Sequence, residues 1–273
     1  MRLAIEHVTT YRYAPAAQGL ALRLRLYPMA TVQQRPGRWE VRVNDDIIHP
    51  LLTTGFGEGE GMWFSRRTDE AVTITVSGEV ATEDRAGVLG QMGRARPAIF
   101  LRDTALTEPG DAVAALAAKA EGDGPLARMH ALNEVLHEAL DYRQGVTASD
   151  TTAEQAAALG AGVCQDFAHV FIAAARHLGV PARYVVGYLH GSEAPELASH
   201  AWAEAHVEGL GWVGFDAVHE VCPAAHHVRL CTGFDAADAA PIRGTMLPGS
   251  DEEMSVEVTI GPVDGSQSQS QSQ

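Results

Sequence analysis

The sequence predicts an α+β protein in two parts. An N-terminal antiparallel β-sandwich-like domain occupies residues 1–105, a core of helices plus an antiparallel sheet follows over 106–262, and a Gln/Ser tail closes the chain at 263–273. Three observations carry this reading. Before residue 105 apolar and polar residues alternate with the period of two that marks half-buried strands. From Thr107-Glu108-Pro109 onward the apolar spacing lengthens to helical steps. Near residues 200 and 212 two alternating runs return, separated by Glu208-Gly209-Leu210, as expected of an antiparallel hairpin.

In chain order, Leu20, Leu22, Leu24 and Leu26 point one way while Arg23 and Arg25 point the other. Trp39, Val41 and Val43 repeat the pattern, as do Val72, Ile74 and Val76, so strands dominate this part. Asn44-Asp45-Asp46 and the glycine-rich 54–61 break them with turns. Residues 108–121 are Ala-rich, and Met129, Leu132, Leu136 and Leu140 then recur at helical spacing. Thr151 and Glu154 have the spacing of a capping box, opening a short helix that ends at Gly160. Phe167, Phe171, Ala174 and Leu178 mark a further helix stopped by Gly179 and Pro181. Met254 to Ile260 reads as a last strand. The Gln/Ser repeat from Ser266 to Gln273 cannot build a core and is expected to be disordered.

Chemistry concentrates on Cys164, which sits in Gly162-Val163-Cys164-Gln165-Asp166 in the first turn of the helix bearing Phe167. A thiolate there faces unpaired backbone N–H groups and the positive end of the helix dipole, both of which favour the charged form. In Ser199–Val207, alternation places Ala201, Ala203, Ala205 and Val207 on one strand face and His200, Trp202, Glu204 and His206 on the other. Pairing with Gly211–Asp216 brings Asp216, at the end of the second strand, near His200 at the start of the first. Cys164, His200 and Asp216 thus supply the attacker, the base, and the group that fixes the base's tautomer. The Cys164 backbone N–H is a natural oxyanion donor. Tyr142, Trp202 and Trp212 read first as packing or cleft-wall aromatics.

The stretches GVCQDFAH, LGVPARYVVGYLHG and SHAWAEAHVEGLGWVGFD, in that order, resemble the catalytic core of the transglutaminase-like superfamily in its bacterial two-domain form. The resemblance covers roughly residues 140 to 245. It implies a papain-like core in which a helix carrying Cys164, the nucleophile, packs on an antiparallel sheet carrying His200, the general base and acid, and Asp216, the orienting carboxylate. His227, Asp238, Pro241 and Gly244 resemble the family's closing segment. Two departures stand out. Where the family usually reads Asp-Pro-Thr-Asn, this chain has Asp216-Ala217-Val218-His219, and where it tends to read Gly-Arg-Asp-Tyr, this chain has Gly233-Phe234-Asp235-Ala236.

Cys222, His226, His227 and Cys231 invite a zinc reading, but adjacent histidines do not readily point at one ion and the spacing fits no usual pairing, so neither a metal nor a cofactor is expected. His169, His177, His190, His206 and His219 read as ordinary polar residues. A net charge of −15 argues against nucleic-acid phosphates or anionic membranes as partners. Three cysteines make no disulfide framework, and no export signal or membrane span is indicated, so a cytoplasmic enzyme is expected. The expected activity is acyl transfer on a peptide or protein amide through a thioester, as peptidase or amidase. A transamidase and a catalytically silent interaction scaffold are the alternatives.

Overall fold

A computed structural model describes residues 1–191 and 199–263. The disorder expected for the Gln/Ser tail concerns residues 264–273, which lie outside them.

The strands of the first part are β1 (Arg2–Ala14), β2 (Gln18–Tyr27), β3 (Gln34–Val43), β4 (Asp46–Ile47), β5 (Leu52–Thr53), β6 (Gly59–Arg67), β7 (Ala71–Thr82) and β8 (Val88–Gly90). A 3₁₀ turn over Pro97–Leu101 leads to α1 (Asp111–Ala117), α2 (Pro125–Ala139), β9 (Asp141–Tyr142), α3 (Ala153–Leu159), β10 (Ala161–Gly162) and α4 (Cys164–His177). The chain continues through β11 (Ala182–Leu189), β12 (Ser199–Val207), β13 (Gly211–Phe215), β14 (His227–Gly233), β15 (Ile242–Thr245) and β16 (Asp251–Pro262).

Two antiparallel sheets, in the orders β16-β1-β7-β3-β4 and β15-β2-β6-β5, form the sandwich. The alternating residues do what their period requires. Leu20, Leu22, Leu24 and Leu26 from one sheet meet Val41, Val43, Val72, Ile74 and Val76 from the other in one buried cluster. A third sheet, β14-β11-β12-β13-β8, carries the helices on one face, where Ala201, Ala203, Ala205 and Val207 pack with Phe167, Val170 and Phe171 of α4. The small alanines let the helix lie close to the sheet.

Two segments cross the division set at residue 105. β8 joins the edge of the third sheet beside β13, and β15 and β16 return to pair with β2 and β1. The 106–262 unit therefore gives its last strands to the sandwich. A sheet edge is completed by whichever strand fits its register, so a composition boundary need not be a packing boundary.

The strand face that carries His200 and Glu204 is not a solvent face. It is buried against the sandwich, whose core cluster includes Tyr188, Val228 and Leu230 of the third sheet. Charged groups on it are consequently paired. Glu204 accepts Arg183 Nε at 2.6 Å and Arg229 Nε at 2.9 Å, while Glu58 accepts Arg25 and the Thr232 hydroxyl, at 2.7 Å for the latter. Burial opposes ionisation of Glu204, but Arg183 and Arg229 outweigh it and hold the carboxyl below its ordinary range. This network crosses from the sandwich into the third sheet.

The capping box opening α3 is made by Thr152 and Gln155, one residue later than the Thr151–Glu154 pair expected from spacing. Glu154 is used elsewhere: its carboxylate accepts the backbone N–H groups of Gly110, Ala112 and Val113 at 2.8–3.0 Å, capping α1 from another helix. Among the described residues no helix is long and apolar enough to cross a membrane.

Candidate active site

Cys164 is the first residue of α4 and is half-buried. The geometry before it is fixed by Asp166, whose Oδ2 accepts the Val163 N–H at 2.8 Å and the Thr147 hydroxyl at 2.7 Å. The carboxylate folds back over Gly162 so closely that a Cβ there would lie 2.5 Å from it, which accounts for glycine at that position. The Asp166 N–H already bonds the Val163 carbonyl at 2.8 Å, whereas the N–H groups of Cys164 and Gln165, the first two of the helix, have no carbonyl one turn earlier and are available to an anion. Tyr142, on the short parallel β9–β10 pair, lies with its ring 6.5 Å from that of Phe167.

The expected hairpin forms. β12 and β13 pair antiparallel with Ala203 opposite Phe215 and Val207 opposite Gly211. Just past β13 the chain turns sharply back: Asp216 and Val221 exchange both backbone hydrogen bonds, at 2.8 and 3.1 Å, closing a loop over Ala217, Val218, His219 and Glu220. Asp216 Oδ1 accepts the Val218 N–H at 3.1 Å inside that loop. The other carboxylate oxygen meets His200 Nε2 at 2.8 Å. With Nε2 committed to Asp216, the His200 hydrogen bond to the Cys164 thiol falls to Nδ1. The three residues named from the sequence are thus brought together.

Burial disfavours a charged His200 ring, but hydrogen bonds to Asp216 and Cys164, with their charges, outweigh it and raise the ring to about 10. Burial also opposes ionisation of Asp216, and bonds from His200, His219 and His227 overcome it, holding the carboxyl well below its ordinary range. A charged ring beside the Cys164 thiol is the pairing this favours. Such a pair can attack a carbonyl carbon and then protonate the departing amine.

Two further histidines complete the surroundings of Asp216. His219 Nδ1 lies 2.8 Å and His227 Nε2 3.1 Å from the same Oδ2. His219 is therefore not the incidental polar residue read from the sequence; its spacing of three from Asp216, across a tight turn, was the available signal. His227 is the first residue of β14, and no local pattern links it to Asp216. The cysteine–histidine set weighed for zinc is dispersed: His227 turns to Asp216, His226 stacks on His190 with centroids 5.7 Å apart, and the buried Cys231 thiol donates to the Ala239 carbonyl. His169 is buried in the core and accepts the Ala236 N–H. Trp202 stands beside His200 and His227, with ring centroids 6.2 and 5.4 Å away, while Trp212 packs on Phe100 and under Arg183.

Comparison with known families agrees with this arrangement in two places. The profile of the Transglutaminase-like superfamily matches residues 114–217, which include all three residues of the Cys–His–Asp chain, and that of the Bacterial transglutaminase-like N-terminal region matches residues 3–81. The chain belongs to the transglutaminase-like superfamily. Among solved structures, this transglutaminase-like chain is similar to a candidate cysteine protease from Cytophaga hutchinsonii, with 26% identity, a TM-score of 0.74, and coverage of 97% of this chain and 92% of that one. An uncharacterized protein of Mycobacterium leprae is 32% identical over 167 residues, covering 59% of each chain, and one of Mycobacterium tuberculosis is 32% identical over 136 residues, 45% of this chain and 43% of its own. The match thus spans about three-fifths or less of these curated relatives.

Proposed function

We propose that this transglutaminase-like protein is a cysteine-nucleophile enzyme that cleaves amide bonds of peptides or proteins through a thioester. The observation that carries the reading is the continuous chain from the Cys164 thiol through the His200 ring to Asp216 Oδ2. In this reading Cys164 Sγ attacks the amide carbon while N–H groups at the start of α4, beginning with that of Cys164, receive the developing oxyanion. His200 gives its proton to the leaving amine, and the freed ring then takes one from the water that resolves the thioester. Asp216 keeps the ring oriented throughout. The solved protein from Cytophaga hutchinsonii, described as a candidate cysteine protease, supports the same assignment.

A second reading, amine in place of water as the acceptor, draws support from Trp202, a buried aromatic beside the triad histidine that could restrict water. One experiment separates the two. A mixed peptide library incubated with and without a primary amine should yield new carboxyl termini that disappear in Cys164→Ala. An excess of amine-conjugated product would favour transamidation, and no product of either kind, with Cys164 freely alkylated, would reject both in favour of a silent scaffold.

A further inference from the structure

Three side chains at the Asp216 turn converge in a way that acyl transfer does not require. His200 Nε2 and His219 Nδ1 each approach Asp216 Oδ2 to 2.8 Å, and the three atoms all lie within 4.8 Å of one another. Two imidazole nitrogens and one carboxylate oxygen are a common zinc donor set with a position left for solvent. Ligand atoms about 2.1 Å from a tetrahedral ion sit roughly 3.4 Å apart, so the two 2.8 Å contacts to Asp216 Oδ2 need to open by only about half an ångström to admit one.

His219 is the element that makes the set. It is the half-exposed member of the three and rides on the loop between the Asp216 and Val221 bridge partners, which gives the ion an approach and a ligand able to adjust. Where the family usually has Asn in this place, an amide would offer zinc a much poorer donor. His227 does not join the ligands. Its Nδ1 accepts the Ala224 N–H, so its Nε2 carries the proton, and it can only steady Asp216 from behind.

We propose that His200, Asp216 and His219 form a zinc site that reversibly shuts off the Cys164 centre. The shut-off rests on His200 serving Cys164; the binding does not. Zinc on His200 Nε2 takes the place of the hydrogen bond to Asp216, and the imidazole so held no longer cycles a proton to and from the reacting groups. Cys164 is not a ligand in this arrangement.

The test uses tag-free protein with Zn2+ and Co2+ alone as probes. Calorimetry should find one zinc per chain, weakened roughly tenfold or more in His219→Asn and changed little in Cys164→Ala. Cobalt should give visible ligand-field bands without a thiolate-to-metal charge-transfer band. Equimolar zinc should slow alkylation of Cys164 in the wild type and not in His219→Asn, with thermal melting showing that the variant is folded. Equal zinc affinity of His219→Asn and wild type, a charge-transfer band lost in Cys164→Ala, or no zinc binding would each overturn the site. His219-dependent binding with no hydrolysis of any peptide would support the site and count against the peptidase reading instead, so the two fail separately.

Discussion

His227 donates its Nε2–H to Asp216 Oδ2 across 3.1 Å while its own Nδ1 receives the Ala224 N–H at 3.3 Å. A backbone N–H can only donate, so this pair of bonds fixes the neutral tautomer of His227 and aims its proton at the carboxylate. Burial, the larger influence, lowers the ring's affinity for a second proton even beside Asp216. The result is a rigid neutral donor behind the carboxylate that orients His200. His227→Gln should therefore lower kcat roughly 10- to 100-fold, the worth of one hydrogen bond to a charged group, with KM little changed and the melting temperature lowered only slightly. Unchanged kcat would assign His227 to packing alone.

The three cysteines should separate by reactivity. Cys164 opens a helix beside His200, whereas burial pushes the Cys222 thiol up and the fully buried Cys231 thiol further still. Mass-spectrometric tracking of iodoacetamide labelling should find Cys164 modified first, and substantially slower in His200→Ala. Similar slow labelling at all three sites would remove the activated nucleophile.

Much of this site could be read before the fold was known, because it rests on local patterns. The helix start at Cys164, the Glu208–Leu210 turn and the alternation of β12 each depend on neighbours in sequence. What escaped depends on distant ones. Alternation shows that Glu204 and His200 share a face, but only the packing of the third sheet on the sandwich makes that face a buried one. His227 reaches Asp216 through the register of β14 on β11, and Glu154 caps α1 from another helix. No spacing rule encodes such contacts.

Gly187 shows how tightly the region around His200 is packed. It pairs with His200 across β11 and β12 at a register shift in β11–β14, and an added Cβ would stand 2.1 Å from the Val228 carbonyl and 2.8 Å from the Trp202 ring. Backbone cannot yield as a side chain can. Gly187→Ala should cost about 2–3 kcal/mol, measured by urea unfolding, and displace Trp202. A variant of native stability would mean that the bulge relaxes freely.

Glu204 bonds two arginines in the dry layer between the third sheet and the sandwich. Removing its charge leaves Arg183 without its carboxylate partner there and Arg229 with only its 3.4 Å contact to Glu58. Glu204→Gln should destabilise the protein by roughly 3–5 kcal/mol, far more than loss of the exposed Arg85–Glu83 pair, worth under about 1 kcal/mol. Comparable effects of the two changes would mean that water reaches the buried layer.

Two buried histidines away from the triad should make the fold acid-sensitive. His7 links β1 to the third sheet through the Tyr188 hydroxyl at 2.9 Å, and His169 is enclosed on the buried side of α4; burial lowers each to about 4. The unfolded chain binds protons at both positions below about pH 6.5, while the folded chain refuses them until near pH 4. Across that window the unfolded state holds more protons, so stability falls as pH falls, by up to about 3 kcal/mol per histidine, and below it these two groups add no further loss. Buried carboxylates held low, such as Glu204, lose their contribution at more acidic pH, which separates the two effects. Urea midpoints measured between pH 7 and 4 should therefore decline in the wild type and decline less steeply in His7→Gln/His169→Gln, where an amide can still hydrogen-bond but does not take up a proton. The comparison is of slopes, so a lower starting stability in the double variant does not obscure it. Parallel slopes would show that these rings are hydrated in the native protein and titrate as they do in the unfolded chain.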